Sequence, residues 1–417
     1  MTTSEEKQVD RRSWLKVLGG TVVGLAVGAA AGYFAKPTVT APPTTVTATK
    51  EVTKTVTAGA PGTVTKTVTQ TVTAGATTTA TMLSPFDIRT NPAEWVDTKR
   101  YRKDPPWVIG ISTHHMAPSW MKIFLKELLC EIDALDKSEP GVKLVEKVIH
   151  VDAGGEIEKQ ISDIRDLIAA GVDVLIVDPA SPEGSAPIIE EAYDAGVPIV
   201  LPKNYVNTPK YTCYSNNDEV QFGYSTAEWL VNQLKGKGRI LVLRGIPGYG
   251  VDIQRYAGFR MVVDKYPKIE IIAEEYGYWD YTRAKKIAAD MIASHPNFDG
   301  IWSMGGQMSA AMVDAMLEAG YDVSKYPHAG EDYNRFCKQI LKYNIPACMS
   351  CKPVWEGRIG ARNAFDILRG LPVRKNNVFP SPFFTAEDAK WLVRPDLPDQ
   401  VWVSTTLPDA VLKEMFG

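Results

Sequence analysis

From Trp107 onward, short apolar runs take turns with stretches in which apolar residues recur every three or four positions, and the chain goes through this cycle twice. Trp107-Val108-Ile109-Gly110-Ile111-Ser112 is the kind of run that suits a strand covered on both faces. Ser119 to Leu135 has helical spacing, Lys143 to His150 reads as a strand and Glu156 to Ala170 as a helix. Val172 to Val177, Pro187 to Ala195 and Val197 to Leu201 continue as strand, helix and strand. A second cycle follows: Tyr224 to Leu234 (helix), Gly238 to Leu243 (strand), Asp252 to Tyr266 (helix), Ile269 to Glu274 (strand), Thr282 to Ser294 (helix), Gly300 to Met304 (strand) and Met308 to Ala319 (helix). Strands joined by crossover helices at this spacing must run parallel, with helices on both sheet faces. The expected fold class is therefore α/β, with two doubly wound parallel-sheet lobes. A ligand in such sheets belongs at the carboxyl ends of the strands, which for two facing lobes means the cleft between them.

Composition narrows the function classes. A hydrophobic content of 45% and a charged content of 23% are those of an ordinary globular chain. The 46 Lys and Arg are interspersed among 49 Asp and Glu, for a net charge of −3, which argues against a nucleic-acid binder because that needs clustered cations. Five Cys, an odd number, do not form a disulfide framework.

The first 82 residues carry an address and a spacer. Arg11-Arg12-Ser13-Trp14-Leu15-Lys16 resembles a twin-arginine export signal, and the run Val17 to Ala35 after it holds no charge. As a helix that run would span roughly 30 Å, about one hydrocarbon core. Ala29-Ala30-Ala31 offers small residues for cleavage, while Tyr33-Phe34 and Lys36 follow as an interfacial anchor would. The adopted reading is an uncleaved anchor, with the remainder facing outward because positive charge precedes the run. From Pro37 to about Met82 the chain reduces to Thr, Val, Ala, Pro and Gly, with near-repeats such as Val52-Thr53-Lys54-Thr55-Val56-Thr57 and Val64-Thr65-Lys66-Thr67-Val68-Thr69. Alternating Val and Thr also suits strands, but no large apolar residue is present to pack a core. A threonine-rich stalk, able to reach on the order of 100 Å when extended, is the expectation.

Several short motifs occur in an order that resembles the ribose/galactose-type sugar-binding proteins. They are Ile109-Gly110-Ile111-Ser112 leading into His114 to Trp120, Gly171 to Pro179, Ala195-Gly196-Val197-Pro198-Ile199-Val200, Gly245 to Gly248 with Arg255 and Gly258-Phe259, Trp279-Asp280, His295-Pro296 and Gly300-Ile301-Trp302. The resemblance implies a type I periplasmic-binding-protein fold with three crossovers between lobes, near Thr212, Cys351 and Phe379. The expected division is 1–36 signal and anchor, 37–82 stalk, 83–106 linker, 107–212 plus 352–379 as the N-lobe, and 213–351 plus 380–417 as the C-lobe. Repressors that share the fold carry a helix-turn-helix ahead of it, whereas this chain carries an anchor and a stalk.

A sugar needs aromatic faces for its C–H surfaces and planar polar groups for its hydroxyls. Trp120 and Trp279 match aromatic positions of the family, with Ser119 where many members have a second aromatic. His114 and His115 lie on the first strand–helix loop, at the expected cleft rim. Lys203 and Asn204 stand where the family presents an acidic residue followed by arginine, which leaves an acidic sugar or carboxylate ligand open. Asp332 matches a hinge-side aspartate that accepts sugar hydroxyls, and a charged hydrogen bond there would contribute more than a neutral one. Arg255 matches a structural arginine, but Ile253 replaces the ligand-reading arginine before it and Gly305 replaces a ligand-binding asparagine. Gln307 nearby offers a substitute. Cys351 sits where glutamine is common, and Trp355 beyond it stands ready to cover the ligand.

Other chemistries find little support. Cys348-Met349-Ser350-Cys351 lacks the second pair a zinc site needs, so packing or a local disulfide is expected. The histidines have no spaced third metal ligand. Gly245-Ile246-Pro247-Gly248-Tyr249-Gly250 has the wrong glycine order for a nucleotide loop. No catalytic constellation stands out, so neither an enzyme, a cofactor nor a metal is expected. The expected partners are a small polar ligand, first a sugar, with a sugar acid or nucleoside behind it; ABC permease subunits; the membrane through residues 17–35; and no second copy of the chain. A receptor ectodomain is the alternative.

Overall fold

The computed structural model describes residues 94–417; the signal, anchor and stalk, and the first part of the 83–106 linker, lie outside the described residues. Among the described residues no helix is long and apolar enough to cross a membrane. The remaining linker residues are built into the fold. β1 (Trp95–Val96) pairs antiparallel with a strand near the far end of the chain, and Tyr101 is buried.

Five strands follow in the first half: β2 (Trp107–Thr113), β3 (Val145–Asp152), β4 (Val174–Val177), β5 (Ile199–Leu201) and β6 (Cys213–Asn217). β2, β4 and β5 are almost entirely apolar because helices cover both of their faces, whereas β3, at the sheet edge, is partly or fully exposed throughout. The second half supplies β7 (Gly238–Arg244), β8 (Ile269–Tyr276), β9 (Gly300–Ser303), β10 (His328–Glu331) and β11 (Ala347–Ser350). The chain ends with β12 (Val373–Arg374), which is the partner of β1, then β13 (Asn376–Phe379) and β14 (Phe383–Thr385).

Two six-stranded sheets result, in the orders β13-β6-β5-β4-β2-β3 and β14-β11-β10-β9-β7-β8. Every pairing in the first is parallel; in the second only β14 runs antiparallel, against β11. In both sheets the strand order reverses beside the first strand of the cycle, which is where doubly wound sheets hold ligands.

The chain passes between sheets three times. The first passage follows β6, at Asp218, rather than lying near Thr212: Cys213 to Asn217 pairs with β5 and β13 of the first sheet. The second lies between β11 and the helix Glu356–Leu368, and the third between β13 and β14. The last residues also depart from the expected division. Trp402 to Thr406 hydrogen-bond to both lobes, so the segment 380–417 does not belong to the C-lobe alone.

Inside the C-lobe, two glycines let backbones touch. The helices Glu219–Gln233 and Gly250–Val263 cross where Gly223 faces Arg255 and Gly258 faces Val220. A Cβ at either glycine would lie 1.8 or 2.0 Å from a carbonyl oxygen of the other helix. Arg255, on this crossing, has its guanidinium over the Phe222 ring.

Candidate functional site

The carboxyl ends of the strands converge on a cavity between the lobes, with about 480 Å³ of empty space when its open mouth is counted. β2 runs into His114, His115 and Trp120; β5 ends in Lys203; β7 runs into Ile246 and Tyr249. Trp279 follows β8, Gln307 follows β9, Glu331 ends β10 and Lys352 follows β11. Of the residues named from sequence, His114, His115, Trp120, Lys203, Arg255, Trp279 and Gln307 therefore meet at one wall or another of this cavity.

Three named residues lie elsewhere. Asn204 is buried behind Lys203, with its amide donating to Asp178 Oδ1 at 2.9 Å and to the Pro179 carbonyl. Trp355 stacks on Phe379, joining the second and third passages at the hinge, and does not line the cavity. Asp332 is fully buried, and its Oδ2 accepts from the Ser404 amide at 3.1 Å. Burial in a nearly apolar place, with Glu331 beside it, raises its pKa well above the carboxylate range. The cavity wall on that side is Trp402.

The wall cations are all spoken for. Lys203 Nζ lies 2.9 Å from Asp178 Oδ2 and also bonds the Tyr249 hydroxyl, which reaches Asp178 Oδ1 at 3.1 Å from the other lobe. Burial alone would raise the Asp178 pKa, but Lys203, His114 and these hydrogen bonds outweigh it and hold the carboxyl below its ordinary value. Arg255 donates to Glu219 Oε2 at 2.7 Å, to Glu331 Oε1 at 2.8 Å and to the Met304 carbonyl. Lys352 Nζ is held by Glu219 Oε1 at 2.6 Å, Glu356 at 3.1 Å, Asn216 Oδ1 at 2.6 Å and Asn217 Oδ1 at 2.9 Å. Burial pushes the Glu356 carboxyl up to about 7 despite Lys352.

Between these ion pairs the surface is aromatic. Trp120 Nε1 donates to the Lys352 carbonyl at 3.0 Å and Trp402 Nε1 to Ser119 Oγ at 3.0 Å, so the N–H groups of both indoles are already used. The ammonium groups of Lys203 and Lys352 each lie 5.4 Å from the Trp120 ring, close enough for cation–π attraction. His114 stacks on Tyr249 at 5.0 Å, and burial lowers its pKa to about 4, which leaves the ring neutral near pH 7. Gln307 donates through Nε2 to the Trp279 carbonyl at 2.7 Å, while its buried Oε1 has no hydrogen-bond partner.

Trp279 explains one departure from the expected pattern. Tyr278 and Trp279 both have positive φ, 59° and 49°, a strained setting for bulky residues that concentrates at functional sites. The Trp279 ring lies flush against Gly245 and Gly305: a Cβ there would sit 2.2 or 2.6 Å from its atoms. Gly305 is thus required by the indole and leaves no space for an asparagine.

Tyr249, Glu331, Lys352 and Trp402 are cavity residues that sequence reasoning missed. Tyr249 stands in the glycine-rich turn after β7, and an aromatic on a lobe-facing loop was a usable signal. Lys352 directly follows Cys351, a position the family resemblance singles out, whereas nothing in the sequence marks Trp402. All five cysteines are free thiols, so Cys348 and Cys351 pack without a disulfide. Among the described residues no cluster of three or more His, Cys, Asp or Glu could hold a metal ion.

Comparisons with known proteins agree with this arrangement. A family described as periplasmic binding protein domain matches residues 109–372. The ribose import binding protein of Bacillus subtilis is 26% identical over 230 residues, covering 55% of this chain and 74% of that one. A xylitol-binding protein of Mycolicibacterium smegmatis is 29% identical over 169 residues, 40% of this chain and 48% of that protein, so about half of that relative is spanned. Among solved structures, a fructose-binding periplasmic domain of a hybrid two-component system has a TM-score of 0.61 at 25% identity, covering 69% of this chain and 93% of that one. The periplasmic binding protein component of the arabinose transporter of Shewanella sp. ANA-3, bound to L-arabinofuranose, has a TM-score of 0.62 at 21% identity, covering 68% and 93%.

Proposed function

Because the chain belongs to the periplasmic binding protein domain family, we propose that it captures a neutral, hydroxyl-rich small molecule, a sugar or polyol, for an ABC importer. Family membership makes it a solute-binding protein that works on the outer side of the cytoplasmic membrane. The observation that carries the choice of a neutral ligand is the pairing of the wall cations. Lys203, Arg255 and Lys352 each face protein carboxylates at hydrogen-bonding distance, so none offers a free charge to an anion. What the wall offers besides is indole surface and Gln307, whose buried Oε1 has no partner and calls for an O–H donor. Stacking of C–H faces on Trp120, Trp279 and Trp402 and a hydroxyl donating to Gln307 together suit a furanose or a polyol better than a sugar acid. The site binds and releases; we read the protein as a carrier rather than an enzyme, acting as one copy of the chain. The sequence supports a membrane anchor at 17–35 and a stalk at 37–82 that hold the carrier near its permease.

Thermal unfolding of the purified protein against D-ribose, L-arabinose, xylitol, myo-inositol, D-ribonate and D-galacturonate tests this. A ligand that binds only the folded state adds about 2.7 kcal/mol at one hundred times its Kd. A raised midpoint with a neutral member is the expected result. A shift with the two acids alone would overturn the neutral reading and leave the family assignment standing.

A further inference from the structure

The family match ends at residue 372, yet the cavity has a wall residue thirty positions farther on. The segment that carries it is held first by the C-lobe. The Asn334 amide nitrogen donates to the Val401 carbonyl at 2.9 Å, Trp402 forms a β-bridge with Tyr333, and the amides of Val403 and Ser404 donate to Asp332 O and Oδ2 at 3.2 and 3.1 Å. The next two residues are held by the N-lobe. Thr405 Oγ1 and the Thr406 amide donate to Glu127 Oε1 at 2.9 and 2.6 Å, and Thr406 Oγ1 donates to Glu127 Oε2 at 2.7 Å. Glu127 lies on the helix Ser119–Asp136 and is wholly buried, with Arg358 as its ionic partner. Two threonines and one amide thus complete the hydrogen bonding of a buried carboxylate that would otherwise keep empty lone pairs, a costly condition.

We propose that Trp402–Thr406 is an interlobe strap that limits how far the cleft opens and makes Trp402 a ligand-contacting, specificity-determining wall residue. The ligand-facing half of this rests on the sugar reading given above. The strap has no slack: Ser404 is tied to the C-lobe and Thr405, its neighbour, to the N-lobe, and successive Cα atoms are only about 3.8 Å apart. Separating Asp332 from Glu127 must break one set of bonds. Trp402 itself bridges, with its backbone on Tyr333 and its Nε1 on Ser119 Oγ of the N-lobe, and only 1% of it is exposed. Closing and opening therefore either carry the indole to and from the ligand or hold it there throughout.

Two measurements on the full chain in detergent separate the two halves. The first is amide hydrogen exchange of the sugar-free protein carrying Thr405→Val and Thr406→Val, which keep the β-branched shape and remove both hydroxyls. Exchange roughly tenfold faster in the cleft-facing loops 114–118 and 245–249, restored by Thr405→Ser with Thr406→Ser, is expected. Acceleration confined to residues 402–406 would overturn the strap. The second is fluorine NMR of protein labelled with 5-fluorotryptophan, with Trp402→Phe identifying its resonance, titrated with D-ribose, L-arabinose and xylitol. A sugar that moves the Trp402 resonance, and whose Kd rises roughly tenfold on Trp402→Ala, is expected. Movement of the Trp120 and Trp279 resonances without that of Trp402 would refute the wall assignment and spare the sugar reading. If no sugar moves any tryptophan resonance, the sugar reading and the Trp402 wall assignment that rests on it both fall, and the exchange experiment alone decides the strap.

Discussion

Replacing Lys352 by Met keeps the length of the side chain and removes the cation at the junction of two interlobe passages. The side chain is 4% exposed, and its ammonium is held by Glu219, Glu356, Asn216 and Asn217. Glu219 keeps Arg255 as a partner, so the variant strands one carboxylate, Glu356. Breaking a buried pair by deleting one partner costs about 3–5 kcal/mol when the other stays charged. Glu356 can escape by taking up a proton. Its folded pKa is already raised to about 7, with burial the leading cause and Lys352 the main opposing influence, and loss of Lys352 raises it further. A carboxyl raised on folding contributes stability that is fully present below its unfolded pKa and is lost as pH climbs to its folded pKa. Wild type has finished losing this contribution near pH 7, whereas Lys352→Met continues to lose about 1.4 kcal/mol per pH unit above it. Urea unfolding followed by circular dichroism at pH 5, 7 and 9 should show the two proteins diverging most at pH 9. Parallel curves above pH 7, or a loss under about 1 kcal/mol at pH 9, would refute the assignment of Lys352 as the counter-charge that holds this hinge together.

Two further outcomes follow from close packing and from burial. Gly258→Ala places a methyl 2.0 Å from the Val220 carbonyl oxygen and 2.8 Å from the Tyr224 nitrogen, both backbone atoms that cannot swing away. A loss of about 3 kcal/mol or more in urea unfolding is expected, and a loss within about 1 kcal/mol would show that the two helices separate freely. Asp332→Asn should leave affinity for the bound sugar within about threefold by titration calorimetry. The reason is that Asp332 lies behind the wall with a pKa raised by burial, so asparagine resembles its protonated form. Abolished binding would mean that Asp332 reaches the ligand after all.

Most of the central parallel strands of both lobes were legible because burial on both faces forces continuous apolar runs, as in Val174–Val177 and Gly300–Ser303, while β11 and β13 were not foreseen. Most of their helices were legible too, although Glu219–Gln233 begins ahead of the expected Tyr224 and Asn334–Tyr343 was not foreseen. What was not legible follows a pattern. β6, Cys-Tyr-Ser-Asn-Asn, is a fully buried strand made mostly of polar residues, because it lies at the hinge where Asn216 and Asn217 serve Lys352 rather than a core. β10, His-Ala-Gly-Glu, hides for a similar reason: Glu331 is there for Arg255, and Gly330 because the Ser309 hydroxyl and the Phe336 ring would meet a Cβ at 2.5 and 2.7 Å. Local hydrophobicity cannot announce residues whose partners lie many positions away. Trp402 is the extreme case, since the residue it bonds across the cleft, Ser119, is 283 positions earlier.

The departures from the expected sugar-reading set are connected to one another by contact. Trp279, held at positive φ, occupies the space of a side chain at Gly305, and two residues on the amide of Gln307 donates to the Trp279 carbonyl. Lys203 brings a cation where a carboxylate was expected, but Asp178 and the Tyr249 hydroxyl neutralise and fix it, so the local charge balance is kept by different residues. Asp332 is buried and accepts from the Ser404 amide, and Trp402 lines the cavity. Around the cavity, aromatic surface and charges paired within the protein stand where the resemblance implied ligand-reading polar groups. On the proposed reading, such a cavity is expected to select by ring faces and a few neutral acceptors. It should therefore reward compact, flat-faced sugars and discriminate against sugar acids, whose carboxylate would have to displace an existing ion pair to find a partner.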